Sequence, residues 1–375
     1  MSTPPGLDGA VHVVGTGLVG ASVGLALTSA GADVVLHDAS PTVAAVAADL
    51  GAGHLPREGD PAPGLVVVAA PPDVTADLVV AALRSHPDAV VTDVASTKAR
   101  VVADVRARAG ADAARYVGGH PMAGRERHGP MAARADLFVG RPWVLTPQPD
   151  TVATATAAVR ELVSRLGASL VELGPEEHDE AVALVSHLPQ VAASLVAARL
   201  VGAPERAVAL AGQGLRDVTR IAASDPVLWA QILASNAAPL ASHLRLLRDD
   251  LDAAVAALET VAGTAAPGHP PDGVPGPLGA LAGLVADGNA GRAMVPGKHG
   301  AAPTLYATVP VLVPDRPGSL AALVGAVGEI GVNVEDLRIE HSPGRQVGVA
   351  EVSVVPAARD GLVAALRERG WSVPD

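Results

Sequence analysis

In the first half of the chain, short apolar runs alternate with longer stretches in which apolar residues recur at helical spacing. Six runs are predicted to be strands: Ala10–Gly15, Asp33–Asp38, Gly64–Ala70, Ala89–Ala95, Tyr116–Gly119 and Pro142–Thr146. Four intervening stretches are predicted to be helices: Leu18–Ala30, Pro41–Leu50, Val74–Arg84 and Thr97–Ala109. Alternation of apolar strands with helices is typical of a parallel sheet that helices cover on both faces.

From about Thr151 the pattern becomes helical. The predicted helices are Val152–Leu166, Pro175–Leu200, Pro204–Ala222, Pro226–Glu259 with room for one break, and Leu278–Ala286. Pro175, Pro204 and Pro226 stand where first-turn prolines begin helices, whereas Pro189 lies inside a helix and should kink it. Because several helix faces are apolar, some of them are expected to bury against a partner subunit.

The last seventy residues return to a mixed pattern, after Gly- and Pro-rich links at Gly263–Pro277 and Gly288–Pro303. The expected order is a strand, a helix, a strand pair that turns at Ser342–Arg345, a helix and a last short strand. The corresponding ranges are Thr304–Val313, Gly318–Ile330, Val332–His341, Gln346–Val355, Ala357–Arg369 and Trp371–Val373. This is a β-α-β-β-α module.

Composition narrows the range of function classes. The chain has 375 residues, 49% of them apolar, and 39 Asp and Glu against 27 Lys and Arg, which gives a net charge of −12. An apolar content this high excludes a disordered chain, and the acidic balance argues against nucleic-acid binding. No cysteine is present, so disulfides, thiolate nucleophiles and Cys-ligated metals are excluded. With no long apolar run and no basic leader, we expect a soluble cytoplasmic protein without a membrane segment.

The first chemical motif is Gly15-Thr16-Gly17-Leu18-Val19-Gly20, which directly follows an apolar strand and opens a helix. In this pattern Gly15 allows the tight turn, Gly17 lets the backbone approach a pyrophosphate and Gly20 permits close packing. Asp38 ends the next strand, where it can accept both ribose hydroxyls. Since Ala39 to Pro41 offer no Arg for a 2′-phosphate, NAD is favoured over NADP. The alternative is a glycine-rich turn without a ligand.

Two further candidates lie at strand ends, where ligands of such sheets bind. Ser96 follows the fourth strand and can hydrogen-bond a nicotinamide or a substrate hydroxyl, or it can simply cap a helix. His120 lies between Gly119 and Pro121 and is suited to accept a proton near neutral pH. We assign the cofactor site to Gly15, Gly17, Leu18, Gly20, Asp38, Ala70, Pro71 and Ser96.

The helical part carries a second group of polar residues. Arg216 and Arg220 share one helix face, and an Arg fork in an acidic protein suits an anionic substrate. Asp217 could instead pair with Arg220 on a solvated face. His178-Asp179-Glu180 is interpreted as a polar helix face, and the scattered histidines predict no metal site.

In order and near spacing, these segments resemble the prephenate/arogenate dehydrogenase family. The matching segments are Gly15–Ser22, Asp38, Asp93–Lys98, Gly119–Glu126, His178–Gln190, Arg216–Ile221 and Ser224–Trp229. Two later stretches, Asp315–Leu320 and Gly331–Leu337, resemble an ACT domain, which binds regulatory amino acids. The resemblance implies a Rossmann-type domain at 8–165, an all-α substrate and dimerisation domain at 166–290, and a small ferredoxin-like ACT domain at 304–375.

The resemblance also implies a reaction and roles. Prephenate would give a hydride from C4 to NAD and lose its ring carboxylate as CO2, forming 4-hydroxyphenylpyruvate for tyrosine biosynthesis. His120 would accept the hydrogen bond of the C4 hydroxyl, which Ser96 would help to orient. The implied substrate-binding residues are Arg220, His187, Glu126, Asp217 and Trp229, of which Asp217 or Trp229 would reach from a second subunit of a homodimer. Lys98, Arg125, Arg127 and Arg216 would add positive charge.

Alternatives remain open at the level of the sequence. The same chemistry on arogenate or 4-amino-4-deoxyprephenate fits the motifs equally, and a non-enzymatic dinucleotide sensor is a third reading. For the C-terminal module, Asp315, Gly318 and Asn333 are the predicted regulatory residues, with tyrosine as the effector. A purely structural dimerisation module is the alternative.

Substitution of Arg220 tests its assignment to the substrate. Arg220→Ala should raise KM for the anionic substrate strongly and leave the fold intact, because the variant loses a bidentate partner for a carboxylate. Steady-state kinetics and a melting curve measure the two effects. An unchanged KM would remove Arg220 from substrate binding.

Overall fold

The computed structural model describes residues 9–124, 129–263, 276–295, 306–341 and 347–374. The chain forms two compact units, Met1–Asp249 and Asp250–Asp375. The strands of the first unit are β1 (Ala10–Val14), β2 (Val34–His37), β3 (Pro63–Val68), β4 (Val90–Asp93), β5 (Tyr116–Pro121), β6 (Pro142–Thr146) and β7 (Ser169–Glu172). The first five helices are α1 (Leu18–Ser29), α2 (Pro41–Asp49), α3 (Pro72–Ser85), α4 (Ala99–Ala109) and α5 (Ala153–Arg165).

The seven strands form one sheet in the order β2-β1-β3-β4-β5-β6-β7. The strands from β2 to β5 are parallel, as predicted, but β6 runs antiparallel to β5 and β7 pairs parallel to β6. The prediction of a wholly parallel sheet is therefore wrong at this edge. A parallel connection needs a crossover helix, whereas the described residues between β5 and β6 contain only a short 3₁₀ turn, Pro130–Ala132. Strand β7 was not predicted; all four of its residues are exposed.

Apolar side chains cover the sheet on both faces. On one face, buried residues of α1, α2 and α5 pack on the strands, and on the other α3 and α4 do so. Burial of this kind contributes about 25 cal/mol per Å² of apolar surface removed from water. The two helical layers fix the carboxyl edge of the parallel strands, which is where the predicted site residues of the sheet lie.

The helical part of the first unit is more broken than predicted. Its helices are α6 (Pro175–Val182), α7 (Leu188–Ala198), α8 (Glu205–Val208), α9 (Gln213–Thr219), α10 (Pro226–Ser235) and the first part of α11 (Ala237–Gly263), which continues past Asp249 into the second unit. The predicted helix Pro204–Ala222 is interrupted, since Gly212 caps α9 and a 3₁₀ turn, Arg220–Ala222, follows it. Pro175 and Pro226 begin helices as predicted, whereas Pro204 is the residue before α8.

The disruption expected at Pro189 takes the form of a π-helical turn, Ala183–His187, between α6 and α7. Pro189 has no N–H to donate, and a π turn absorbs such a gap without ending the helix. The continuous stretch Pro175–Ala198 is long and apolar enough to cross a membrane by length and composition. Only 28% of the 18-residue apolar window in it is buried, and the polar side chains of His178, Asp179 and His187 are among the buried residues of the stretch.

In the second unit the predicted β-α-β-β-α order is confirmed. Helix α12 (Pro277–Met294) precedes β8 (Ala307–Pro314), α13 (Ser319–Glu329), β9 (Asp336–His341), β10 (Val347–Val354) and α14 (Arg359–Glu368). The strands form an antiparallel sheet in the order β8-β10-β9, and the predicted last strand is a single bridge between Leu312 and Ser372. Apolar residues of both helices pack with the sheet. The predicted turn Ser342–Arg345 lies outside the described residues.

The backbone angles and the space around each residue explain the glycines in the turn between β1 and α1. Gly15 has a φ of +96°, and a Cβ on it would lie 2.3 Å from the carbonyl oxygen of Ala69. A Cβ on Gly20 would lie 1.9 Å from the carbonyl oxygen of Gly15. Gly17 differs, because a Cβ there would meet nothing within 4 Å and its φ is −67°. The chain itself therefore requires glycine at 15 and 20, while Gly17 keeps a space open.

Two matched substitutions separate these roles. Gly20→Ala should destabilise the protein by about 1–3 kcal/mol through overpacking. Gly17→Ala should leave the melting temperature unchanged and weaken NAD binding, because its methyl group would enter the space left for the pyrophosphate. Thermal unfolding and NAD titration measure both. Unchanged NAD affinity in Gly17→Ala would contradict the placement of the pyrophosphate.

Candidate functional site

A cavity of about 750 Å³ lies at the carboxyl edge of the sheet in the first unit. Its wall includes nine predicted residues, which are Gly15, Gly17, Leu18, Asp38, Ala70, Pro71, Ser96, His120 and Trp229. Helix α10 closes the opposite side with Leu228, Trp229 and Ile232. The fold thus brings together residues that come from five strand ends and one distant helix. Gly20 is not part of the wall, since it packs beneath the turn.

One end of the cavity holds Asp38 in a fixed orientation. Its Oδ2 accepts hydrogen bonds from Thr16 N at 2.7 Å and from Thr16 Oγ1 at 3.0 Å, and its Oδ1 accepts one from Ser40 N at 2.9 Å. A carboxylate held this way can accept the two hydroxyls of a ribose. The open space at Gly17 and the free N–H groups of α1 suit a pyrophosphate. The residues present therefore fit NAD.

Ser96 is half-buried in the wall and does not cap the following helix. Helix α4 begins at Ala99 and has Lys98 at its N-cap position. The first N–H groups of this helix donate to the carboxylate of Asp179 on α6, at 2.7 Å from Lys98 N and 2.9 Å from Ala99 N. The interpretation of Ser96 as a helix cap is therefore wrong, and the residue lines the cavity instead.

His120 lies at the end of β5 and is joined to α6 by a chain of hydrogen bonds. Its Nδ1 is 2.8 Å from Nε2 of His178, and Nδ1 of His178 is 2.8 Å from Oδ1 of Asp179. Burial is the largest of the causes that hold the pKa of His120 well below its ordinary 6.5, and the charges of His178, Lys98 and His187 add to it. His120 is consequently neutral at neutral pH and can accept a proton.

The prediction that His178-Asp179-Glu180 is a polar helix face is wrong for its first two members. The side chain of His178 is fully buried and Asp179 is 5% exposed. A signal was present in the sequence, because His178 and Asp179 share the buried stripe of α6 with Pro175 and Val182 at helical spacing. A prediction from polarity alone assigns these two residues to the solvent-exposed face and so misses the stripe.

A buried ion pair lies beneath His120. Lys98 Nζ contacts Asp93 Oδ1, and the hydroxyl of Tyr116 donates to Asp93 Oδ2 at 2.6 Å. Burial lowers the pKa of Lys98 and, together with Asp93, raises that of Tyr116. Lys98 was expected to add positive charge for the substrate, but its side chain is fully buried. It acts on the site by disfavouring a charge on His120.

His187 lies at the end of the π turn, directly behind Trp229. The two ring centroids are 6.1 Å apart and nearly perpendicular, and His187 is 1% exposed. Asn236, which breaks the predicted helix Pro226–Glu259, donates through Nδ2 to the carbonyl oxygen of Asp179 at 2.7 Å and lies 3.1 Å from His187 Nδ1. Because that nitrogen of Asn236 is a donor, Nδ1 of His187 is the acceptor and Nε2 carries the hydrogen. Sequence reasoning missed Asn236.

The remaining predicted residues do not share this wall. Arg216, Asp217 and Arg220 are exposed on α9 and the turn after it, and Asp217 accepts a hydrogen bond from Gln213 Nε2 at 2.8 Å. Among the described residues, none of these three lines the cavity. Glu126, with its neighbours Arg125 and Arg127, lies outside the described residues.

The predicted regulatory residues lie in the second unit. Asp315 and Gly318 belong to the exposed turn between β8 and α13, and Gly318 has a left-handed backbone with a φ of +89°. Asn333 is exposed and its Nδ2 donates to Glu335 Oε1 at 2.7 Å. All three positions are open to solvent in this unit.

Similarity to known proteins agrees with this geometry. Residues 23–172 match the family description "Prephenate dehydrogenase, nucleotide-binding domain", and residues 174–263 match "Prephenate dehydrogenase, dimerization domain". The "Probable prephenate dehydrogenase NovF" of Streptomyces niveus is 38% identical over 364 residues, which cover 96% of this chain and 98% of that protein. The prephenate dehydrogenase of Bacillus subtilis is 33% identical, covering 60% of this chain and 64% of the relative.

A solved structure with a bound dinucleotide is also similar. It is titled a prephenate dehydrogenase from A. aeolicus in complex with hydroxyphenyl propionate and NAD+, and it superposes with a TM-score of 0.64 at 26% identity. The match covers 76% of this chain and 97% of that one. Together with the two domain matches, which span more than half of the chain, these likenesses show that the protein belongs to the prephenate dehydrogenase family.

Proposed function

We propose that the protein oxidises and decarboxylates prephenate with NAD, giving 4-hydroxyphenylpyruvate for tyrosine biosynthesis. The observation that carries this proposal is the half-buried His120, its pKa lowered by desolvation, in the wall of the cavity that also contains the dinucleotide turn. The name of the Streptomyces relative, which matches over nearly the whole of both chains, supports the same substrate.

In this reaction the ring of prephenate supplies both the hydride and the electrons of aromatisation. NAD held by the turn at Gly15 to Gly20 and by Asp38 would supply the hydride acceptor for C4. Nε2 of His120 accepts the proton of the C4 hydroxyl as the hydride leaves, so that the electron pair of the O–H bond forms a double bond between C4 and its oxygen. That oxygen takes the proton back from His120 when the electron pair released by decarboxylation reaches it. The bond to the ring carboxylate breaks, CO2 leaves, and its electron pair completes the aromatic ring.

The other site residues bind and orient the substrate in this proposal. Ser96 orients the C4 hydroxyl from the end of β4, and Trp229 with His187 behind it closes the far side. Arg220 holds a substrate carboxylate, Asp217 reaches a neighbouring subunit, and Glu126 is kept as a substrate-binding residue because the family resemblance implies it. A dianionic substrate needs such local positive charge in a chain of net charge −12.

We further propose a homodimer that forms through the helical part of the first unit. Large apolar side chains are exposed there, and the matching family domain is described as a dimerisation domain. The most exposed are Val185 at 63%, Val201 at 86%, Leu210 at 85% and Val227 at 69%. An apolar surface of this extent is costly in water unless a partner covers it.

For the second unit we propose an ACT-like regulatory role with tyrosine as the effector. The β-α-β-β-α order and the exposed turn at Asp315 to Gly318 support it. We also keep the three-domain division at 8–165, 166–290 and 304–375 as part of this proposal.

Turnover is measured by NADH formation with NAD and each of three substrates: prephenate, arogenate and 4-amino-4-deoxyprephenate. Prephenate should give the highest kcat/KM. Preference for an amino compound would reassign the substrate within the same chemistry. A folded protein that binds NAD and turns over none of them would instead support a dinucleotide sensor.

The pH dependence reports on His120. Because burial lowers its pKa, the acidic limb of kcat/KM should lie below pH 6.5, with activity lost as His120 becomes protonated. His120→Asn should lower kcat by about 10²–10⁴-fold with little change in KM. An acidic limb above pH 6.5, or near-full turnover by the variant, would assign the proton to another group.

Feedback is tested with the full chain. Tyrosine should inhibit turnover and raise the melting temperature, because a ligand that binds the folded state stabilises it. Asn333→Ala should weaken both effects and leave turnover without tyrosine unchanged. Absence of both effects in the wild-type protein would leave the second unit with a structural role.

A further inference from the structure

We propose that His178 and Asp179 are a positioning pair that fixes His120 in the one tautomer able to accept a proton from the substrate. This inference rests on the proposed function, in which His120 is the proton acceptor. It adds two residues of α6 to the machinery of the site, both acting through His120.

The direction of these hydrogen bonds is set by the carboxylate of Asp179, because it is the one member of the series Asp179, His178 and His120 that cannot donate. The ionised carboxylate of Asp179 accepts, so Nδ1 of His178, at 2.8 Å from Oδ1, carries a hydrogen. In a neutral His178 the other nitrogen, Nε2, is then an acceptor. It lies 2.8 Å from Nδ1 of His120, which must carry the hydrogen of that bond. Nε2 of His120 is left with its lone pair.

A doubly protonated His178 would reverse the last bond and block the lone pair of His120. In the proposed arrangement His178 donates through Nδ1 alone. Its imidazole is fully buried and is held at both nitrogens, by Asp179 Oδ1 on one side and by His120 Nδ1 on the other. The nitrogen-15 spectrum of the two histidines distinguishes this arrangement from the reversed one.

The pair is held rigidly, as a positioning role requires. The carboxylate of Asp179 accepts the N–H groups of Lys98 and Ala99 at the start of α4, and its backbone carbonyl accepts Asn236 Nδ2 at 2.7 Å. Neither His178 nor Asp179 can turn without breaking several buried hydrogen bonds. When His120 takes the substrate proton, its Nδ1–H still points at His178, and the charge of Asp179 stabilises the cation through that ring.

Two substitutions at one position separate positioning from packing. Gln at 178 can offer Oε1 to His120 and Nε2–H to Asp179, so it reproduces the order of acceptor and donor but cannot titrate. Leu fills a similar volume and offers neither, so Nδ1–H of His120 loses its acceptor and the other tautomer becomes favoured. His178→Leu should lower kcat by about 10²-fold or more, since the base then presents a hydrogen instead of a lone pair. His178→Gln should stay within about tenfold of the wild type.

His243→Leu is the matched control, because His243 is a half-buried helical histidine outside the cavity wall. NAD affinity and melting temperature are measured for all three variants. Equal losses of kcat in His178→Leu and His178→Gln, with both proteins folded and binding NAD, would overturn the proposal. So would a His178→Leu variant with wild-type kcat.

A second readout does not depend on the substrate. Nitrogen-15 NMR of labelled histidines distinguishes the two tautomers, with His120→Asn used to assign the signal. At neutral pH the His120 resonance should show a protonated Nδ1 and a bare Nε2 in the wild type and in His178→Gln, and the opposite in His178→Leu. A protonated Nε2 in the wild type would overturn the inference. If this pattern is found but prephenate is not turned over, the positioning pair stands and the proposed substrate fails.

Discussion

The carboxylate of Asp179 is the constraint on which the rest of the site depends. It accepts the first N–H groups of α4, 80 and 81 residues away in sequence, and so ties the helical part of the first unit to the sheet. A helix start carries unpaired N–H groups and partial positive charge, which makes a buried carboxylate a favourable partner. The same carboxylate orients His178, and through it His120. Packing of the helical part against the sheet and orientation of His120, the proposed base, therefore depend on the same carboxylate.

A second buried charge pair supports this arrangement from below. Asp93 is neutralised by Lys98 and receives the hydroxyl of Tyr116, so no member of the cluster is left unpaired. Such pairs add little net stability, but removal of one partner is costly because it strands a buried charge. Their effect on the site is electrostatic: burial is the main cause of the lowered pKa of His120, and the charge of Lys98 lowers that pKa further. Asn236 influences His187 through hydrogen-bond geometry, because its Nδ2 donates to Nδ1 of that ring and so fixes the tautomer.

Much of the fold could be predicted because its signals are local. The turn at Gly15 to Gly20 and the acid at Asp38 follow from a short stretch each, and the β-α-β-β-α order of the second unit follows from alternation and turn residues. The antiparallel β6 could not be predicted, since strand direction depends on where the connection leads and not on the strand's own residues. The exposed edge strand β7 carries no buried face to mark it.

The sequence by itself determined the element order, the dinucleotide turn and the candidate base, because each depends on spacing along a few neighbouring residues. Only the tertiary structure decided what surrounds that base. From the sequence, His178 and Asp179 are predicted to be polar surface residues, but both are buried on α6. Lys98 is predicted to supply positive charge to the substrate, but it is buried in an ion pair with Asp93. Hydrogen-bond direction and burial are properties of residues brought together across long stretches of chain. Those contacts, absent from any local pattern, orient the histidine proposed as the proton acceptor and, mainly through burial, lower its pKa.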